Sequence, residues 1–583
     1  MSPQLIRKNL EYIKVLPMWA QELSYKYLSK TTNLYILHGN VRDFLPHRLI
    51  EDEFVFTRIQ EYVSDVLFAN RDIIVYFDRS SGINFNDISM RQDYFDAMSQ
   101  AFPEADSTAF FSSDPLTAFH YLEKYFLLNL PKKLRIVLII DYAETLLPAA
   151  EMTQMTEEDR TCYVTLNRWA HDPIFTQGDV SIFLITENMT ELNQKLSASP
   201  LTVKVSLPIP DAEVREKFLQ FLERQDKLLL ETRLSCSLVA QMTGGLNLMN
   251  LHQIASESFQ EGEPISLDYL KRKKKEILEN EAGGLLEFLD GAYNLDYVSG
   301  HEFVKRRLQS ATKAIKQGRL DVLPMGYLIA GPVGTGKTFL VSAFAAELGI
   351  PIVRLQNLKS RWQGVTESNL EKVLGIFQAM APVGVLIDEA DVLLKDPRSH
   401  TEHSDTTSRI FSQLANFMGN TENRGRILWF LVTSRPDLIP IDLKRQGRAE
   451  EHLALFYPES PEEKEALFNT LVKKLDLKIR DFSISDLLKK FRQEFSGADL
   501  EAILIRAKFT SALAGRTFIT KDDLEETIKD FIPPVYPHEI ELQNLVAALE
   551  CTSREMIPKR FQNLDRAKLI QEIQELKLLL GER

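Results

Sequence analysis

Two apolar strands constrain this chain more than anything else in it. Each ends in an aspartate, and each is followed by a second strand at the same distance. IIDYAETLLP (139–148) and LIDEADVLLK (386–395) echo one another. Asp141 lies 45 residues before Thr186, and Asp388 lies 45 residues before Thr433. The strands IFLIT (182–186) and WFLVT (429–433) end at those two threonines. LPIPDAEVREKFLQFLERQ (207–225) then answers FYPESPEEKEALFNTLVKK (456–474), and MTGGLNLMNLHQIA (242–255) answers FSGADLEAILIRA (495–507). Four echoes in the same order point to a duplicated unit, strands first and helices after.

NLYILHGNV (33–41), DIIVYF (72–77), KKLRIVLIID (132–141) and VSIFLIT (180–186) read as the strands of the first copy. MGYLIAG (325–331), PIVRLQ (351–356), VGVLIDEA (383–390) and RILWFLVT (426–433) read as those of the second. Their apolar, β-branched character suits parallel strands covered on both faces, and the helical periodicity between them makes the class α/β. The expected divisions are a helical segment 1–32, an α/β domain 33–205, a helical lid-like domain 206–265 and a linker helix 266–297. A second α/β domain (298–458), a small helical domain (459–535, closed by Pro533–Pro534) and a helical tail (536–583) complete the chain. The tail, RAKLIQEIQELKLLLGER, leaves a dimerising coiled coil open but is too short to establish one.

Composition narrows the function. Asp plus Glu outnumber Lys plus Arg by 82 to 69, a formal charge of −13. Such a surface does not attract a phosphate backbone, and the short run KRKKK (271–275) does not change that, so nucleic acid is not an expected partner. Cys162, Cys236 and Cys551 are too scattered for a disulfide framework or a Cys-rich metal site. No run of 18 apolar residues occurs, so no membrane-spanning helix is expected. The start, MSPQLIRKNLEYIK, lacks the apolar stretch of a signal peptide, and a cytoplasmic, reducing location is expected.

GPVGTGKT (331–338) follows an apolar strand and precedes a helical pattern, which is the setting a phosphate-binding loop requires. Its glycines let backbone N–H groups curl round phosphates, Lys337 brings a point charge and Thr338 offers a hydroxyl to Mg²⁺. The nucleotide-binding set is Gly331, Pro332, Val333, Gly334, Thr335, Gly336, Lys337, Thr338 and the adjoining Phe339. Asp388 suits the surroundings of Mg²⁺, with Thr338, and Glu389 suits the base that polarises an attacking water. Ser434 follows Thr433 at a strand end, where it either orients that water or merely caps the strand. In DLKRQGR (442–448), Arg445 has Asp442 three residues before it, and Arg448 has no acid so close upstream. These arginines either reach the nucleotide of a neighbouring subunit or stay solvated. Trp362, flanked by Arg, Gln and Gly in a polar loop, either packs on its own domain or lines a channel that grips a polypeptide. His400 and His403 lie in a polar stretch, DPRSHTEHSDTT (396–407), that reads as a loop without further ligands for a metal.

Taken together, GPVGTGKT (331–338), RWQG (361–364), LIDEAD (386–391), TSRPD (433–437), LKRQGR (443–448) and FSGADLEA (495–502) resemble the AAA ATPases. The likeness is to the branch of microtubule-severing and protein-segregating enzymes, in family order over 290–535. It implies a P-loop AAA module, a parallel αβα sandwich plus a small helical domain, in a homo-oligomer, a hexameric ring. It also implies ATP and Mg²⁺ at subunit interfaces, Arg445 and Arg448 acting in trans, Trp362 in the pore, and Gly497 and Ala498 touching nucleotide from the small domain. Ser434 stands where the family has Asn, Trp-Gln-Gly replaces aromatic-aliphatic-Gly, and VTES replaces GESE. A degenerate AAA-like module before a complete one resembles the two-part AAA proteins of cyanobacteria, algal plastids and other bacteria.

The first half is defined by what it lacks. Tyr142 replaces the second acid, and no GK[ST] string occurs in residues 1–290. HGNVRD (38–43) and DRSSGI (78–83) could each stand where a phosphate loop would, but neither carries the lysine. His38 reads as a packed or capping residue. The first half is therefore expected to be a catalytically inert scaffold or recruitment platform. Three readings follow: ATP-driven remodelling of a protein partner, an ATP-gated assembly or signalling scaffold without threading, and a nucleic-acid motor, which the charge argues against. No H-E-x-x-H occurs to support a zinc peptidase.

Overall fold

In the computed structural model the described residues are 13–48, 54–289, 291, 293–317, 319–348, 350–356, 367–394, 405–479, 487, 495–532, 536–562 and 565–582. Trp362, His400, His403, Pro533 and Pro534 lie outside them. The described chain forms two compact units, one drawn mainly from residues up to Leu278 and the other from Glu279 onward.

The first unit holds a six-stranded sheet built from β1 (Leu34–Gly39), β4 (Ile73–Asp78), β5 (Gly82–Asn84), β6 (Ile136–Ile140), β7 (Val180–Ile185) and β8 (Thr202–Leu207). The remaining strands, β2 (Leu45–Arg48) and β3 (Phe54–Thr57), form a separate antiparallel pair. In the second unit the sheet contains β9 (Leu286–Phe288), β10 (Gly326–Ala330), β11 (Ile352–Leu355), β12 (Val383–Ile387), β13 (Ile427–Thr433) and β14 (Glu451–Ala454). The spatial orders are β8-β1-β7-β6-β4-β5 and β14-β10-β13-β12-β11-β9. The five parallel strands match one for one, and each sheet has one antiparallel edge, though from different places in the chain: β5 follows its partner β4, whereas β9 precedes β10 and pairs with β11. Even the register agrees: Ile140 pairs with Leu184, and Ile387 pairs with Leu431, one residue before the two aspartates. The repeat read in the sequence is thus a repeat of the fold.

Alternate residues of the first sheet feed two cores, as the strand period of two requires. Leu34, Ile36, Val75, Leu138 and Leu184 pack among Tyr94, Phe119, Phe126 and Trp169. Tyr35, Leu37, Val137, Phe183 and Ile185 pack among Trp19, Leu23 and Tyr62. In the second unit Tyr327, Ile329, Leu386, Phe430 and Val432 close over Leu340 and Phe344 of the helix that follows the phosphate loop.

Among the described residues of the segment expected as a linker helix, 266–297, the α-helix runs over Leu267–Glu281, and a short 3-10 turn, Leu295–Tyr297, closes the segment. Lys274 donates to the Met242 carbonyl and Lys273 pairs with Glu257, while Leu270 and Leu278 are buried. KRKKK therefore belongs to a helix packed on the first helical bundle, and the chain then enters the second sheet as β9. Of the polar stretch 396–407, Asp405 onward is a helix, Asp405–Met418. In the tail Leu542, Leu545, Val546, Phe561, Leu569 and Ile573 are buried against Ala330, Ala454 and Phe456, while Ile570, Leu578 and Leu579 remain exposed. Among the described residues no helix is long and apolar enough to cross a membrane.

Candidate nucleotide site

The loop after β10 is shaped by contacts that admit no side chain. Gly331 has φ of +149°, and a Cβ there would stand 2.1 Å from the Leu455 carbonyl oxygen. At Gly334 (φ +79°) a Cβ would meet Ser496 Oγ at 2.8 Å. Ser496 caps the helix Gly497–Leu513 in a capping box with Asp499, so the N-terminus of that helix is brought against the loop. Gly497 and Ala498 line one wall of a cavity of about 1000 Å³, whose other walls include Val298, His301, Thr335 and Phe339. Burial pushes the His301 imidazole down to about 4, so it is neutral at pH 7. Residues Val298 to His301, and Met556 and Ile557 from the tail, carried no signal in the sequence: they lie in short irregular segments brought in by the fold.

Lys337 opens the helix Lys337–Leu348, and its Nζ donates to the carbonyls of Gly331 (2.8 Å) and Pro332 (2.9 Å). Burial lowers its pKa to about 8, against the pull of Asp388 and Asp391. The Thr338 hydroxyl donates to the Asp388 carboxylate, 3.1 Å from Oδ2. Glu389 adopts left-handed geometry (φ +49°), so the chain turns sharply after Asp388 and leaves Glu389 exposed. At the end of β13 the Thr433 hydroxyl donates to Asp391, and the Arg435 amide donates to Thr433 Oγ1 (2.8 Å), with Ser434 half-buried between. The strand order sets β13 between β10 and β12, so the sheet brings Gly331, Asp388 and Ser434 to one edge.

The two arginines are treated differently. Arg445 is 60% exposed and pairs with Asp442 at 3.6 Å. Arg448 is buried, and its Nη1 donates to the Asp442 carbonyl at 3.0 Å.

Comparison with known proteins agrees with this geometry. Residues 327–457 match the model of the ATPase family associated with various cellular activities. Residues 3–208 match the N-terminal Rossmann-like domain of AAA+ chaperones, and residues 213–283 match the second helical domain of AAA+ chaperones. The chain belongs to the AAA ATPases. It is 25% identical over 450 residues to the cell division cycle protein 48 homolog of Archaeoglobus fulgidus, covering 70% of this chain and 60% of that protein. It is 23% identical over 371 residues to the uncharacterized AAA domain-containing protein ycf46 of Pyropia yezoensis, covering 61% and 73%. It is also 29% identical over 219 residues to Protein SAV of Sulfolobus acidocaldarius, covering 37% and 26%. The chain thus spans less than two thirds of the length of the Archaeoglobus fulgidus relative.

The second unit carries the matched AAA ATPase region and its phosphate loop. The first unit keeps the frame of such a site and fills it with its own charges. Of the two loops that could have replaced the phosphate loop, it is HGNVRD that follows β1, the strand equivalent to β10. Its Gly39 matches Gly331: φ is +91°, and a Cβ would stand 2.7 Å from the Leu207 carbonyl. Beyond that glycine the two loops diverge. Arg42 Nη1 donates to both carboxylate oxygens of Asp141, at 2.7 and 2.8 Å, and Gln60 Nε2 donates to Oδ2 at 2.6 Å. The guanidinium lies 3.9 Å above the Tyr142 ring, and its Nε reaches Glu187 at 3.2 Å. Burial opposes the Arg42 charge, but Asp141 outweighs it and raises the Arg42 pKa. Tyr142 has φ of +50°, the conformation of Glu389, so the turn outlived the acid. Asp43, buried, accepts the amides of Leu248 (3.0 Å) and Met249 (2.9 Å), the first turn of the helix Leu248–Glu261. His38 is a half-buried strand residue whose imidazole burial lowers to about 4.

Proposed function

We propose that this AAA ATPase hydrolyses Mg-ATP only in its second unit, at subunit interfaces of a homo-oligomeric ring, a hexamer, and uses the cycle to remodel, unfold or disassemble a protein partner in the cytoplasm. The first unit is an inert platform for scaffolding or recruitment. The observation that carries this reading is the unequal treatment of two equivalent aspartates. Asp388 faces a hydroxyl and an adjacent loop lysine; Asp141 faces a guanidinium.

The residues present fit the cation. Thr338 and Asp388 offer two hard oxygen donors side by side, the sparse protein ligation Mg²⁺ takes when substrate phosphates complete its shell. Among the described residues no cluster of three or more His, Cys, Asp or Glu could hold a metal alone. Bound there, Mg²⁺ supplies positive charge to the phosphate oxygens. Lys337 exchanges its carbonyl partners for phosphate, and loop amides together with the N-terminus at Gly497 and Ala498 complete the cradle. Glu389 accepts the proton of the attacking water, and Ser434 helps to orient it. Arg445, exposed on its own chain, reaches the pocket of a neighbour, with Arg448 seated beneath it. Trp362 grips the polypeptide in the ring's pore.

The test is a pull-down with Glu389→Gln held in ATP. A partner trapped in ATP and released in ADP supports remodelling. A Trp362→Ala variant that keeps its ATPase activity and its cycle of partner capture and release supports the scaffold reading without threading instead.

A further inference from the structure

The loop that carries both arginines is closed at its base by one side chain. His452, on β14, is 11% exposed, and its Nε2 lies 3.0 Å from the Lys444 carbonyl and 3.1 Å from the Ala449 carbonyl. Those two carbonyls bracket the segment bearing Arg445 and Arg448. On the other edge of the ring, Nδ1 lies 3.0 Å from the Glu550 carbonyl and 3.4 Å from the Glu550 carboxylate, at the end of the tail helix Pro537–Glu550. Every one of these oxygens can only accept, so each ring nitrogen must donate. A neutral imidazole has one N–H and would set a lone pair against carbonyl oxygen on one side or the other.

We infer that His452 is a positioning residue for the arginine loop, working as an imidazolium that staples Lys444 to Ala449 and ties both to the tail. The inference rests on the reading of Arg445 as a trans residue.

The surroundings favour the charged ring. Burial opposes it, but Glu550 prevails and raises the pKa above 6.5. Lys444 Nζ shares the same carboxylate. Opposite on β10 stands the apolar Leu328. Beside the ring, Glu450 is engaged by Arg424 and Glu451 by Arg307, and the Cys551 thiol, pushed up to about 12, is neutral. Loss of the proton as pH rises releases either the loop or the tail.

The test uses the full chain at saturating ATP between pH 6 and 9, reading kcat beside the Kd of a fluorescent ADP. Wild-type kcat should fall with a one-proton limb whose midpoint lies above 6.5, while the Kd profile, set by Lys337, stays the same in wild type and in His452→Gln. His452→Gln should show kcat roughly 10- to 100-fold lower at pH 7, with the limb gone. Glu550→Gln should move the limb to lower pH. The same limb in His452→Gln, or a Kd profile that differs between the two proteins, overturns the proposal. If His452→Gln does not fold, an unmoved limb in Glu550→Gln overturns it. Full turnover by Arg445→Ala defeats the trans reading alone. In that event, hydrogen exchange in 444–449 that rises with pH, after correction for intrinsic rate, in wild type but not in His452→Gln still supports the staple, and exchange alike in both overturns it.

Discussion

Arg42 holds Asp141 in the first module as Thr338 holds Asp388 in the second, but with a full positive charge: one guanidinium nitrogen lies 2.7 and 2.8 Å from the two carboxylate oxygens. Asp141 is buried and Arg42 is about a third exposed, so the pair lies between the surface and buried regimes. Arg42→Ala leaves the aspartate uncompensated and should destabilise the first module by about 2–4 kcal/mol in chemical denaturation. Adding Asp141→Asn should recover a large part of that loss. A double variant destabilised by the sum of the two single variants would show that the pair contributes nothing.

Asp43 acts at the other end of the same filled pocket. It accepts two amides from the first turn of Leu248–Glu261, as a capping carboxylate does. Asp43→Ala should cost roughly 1–2 kcal/mol. Amide exchange across Leu248–Leu251 should quicken while ATP turnover holds.

Glu389 and Lys337 should separate chemistry from binding. Glu389→Gln should keep nucleotide affinity and lose about 10²- to 10³-fold in kcat. Lys337→Ala should lose binding itself. A Glu389→Gln enzyme that turns over like wild type would remove the base from the account.

Lys337 also sets a pH dependence. With its pKa near 8, the lysine is charged below that value and neutral above it. ATP affinity should therefore weaken as pH rises through about 8, because phosphate binding then requires proton uptake. Titrating a fluorescent ATP analogue from pH 7 to 9.5 checks this, and a flat profile contradicts it.

Arg445 should act across an interface. Arg445→Ala should lower kcat by roughly 10³-fold. Mixing its subunits with Lys337→Ala subunits should restore part of the activity, since each supplies what the other lacks. No rescue under proven subunit exchange counts against the arrangement.

What the sequence showed, and what it hid, follows from physical reach. The central strands were legible because burial on both faces leaves apolar runs such as IVLII and ILWFLVT. GPVGTGKT was legible because glycines, lysine and threonine are all needed at fixed spacing. The edge strand β9 and the last strand β14, with three and four residues, are too short to carry a period. Arg42 and Asp141 are 99 residues apart, and His452 meets Glu550 across 98, so no local pattern joins either pair. The amphipathic tail was visible, but its target, Ala330, Ala454 and Phe456, was not.

Nucleotide stoichiometry tests the central claim most directly. Equilibrium binding of ADP to the whole chain should give one site per chain in wild type and none in Lys337→Ala. A second saturable site, or binding that survives Lys337→Ala and disappears with Asp141→Asn, would contradict the account of a single working pocket beside a self-filled one.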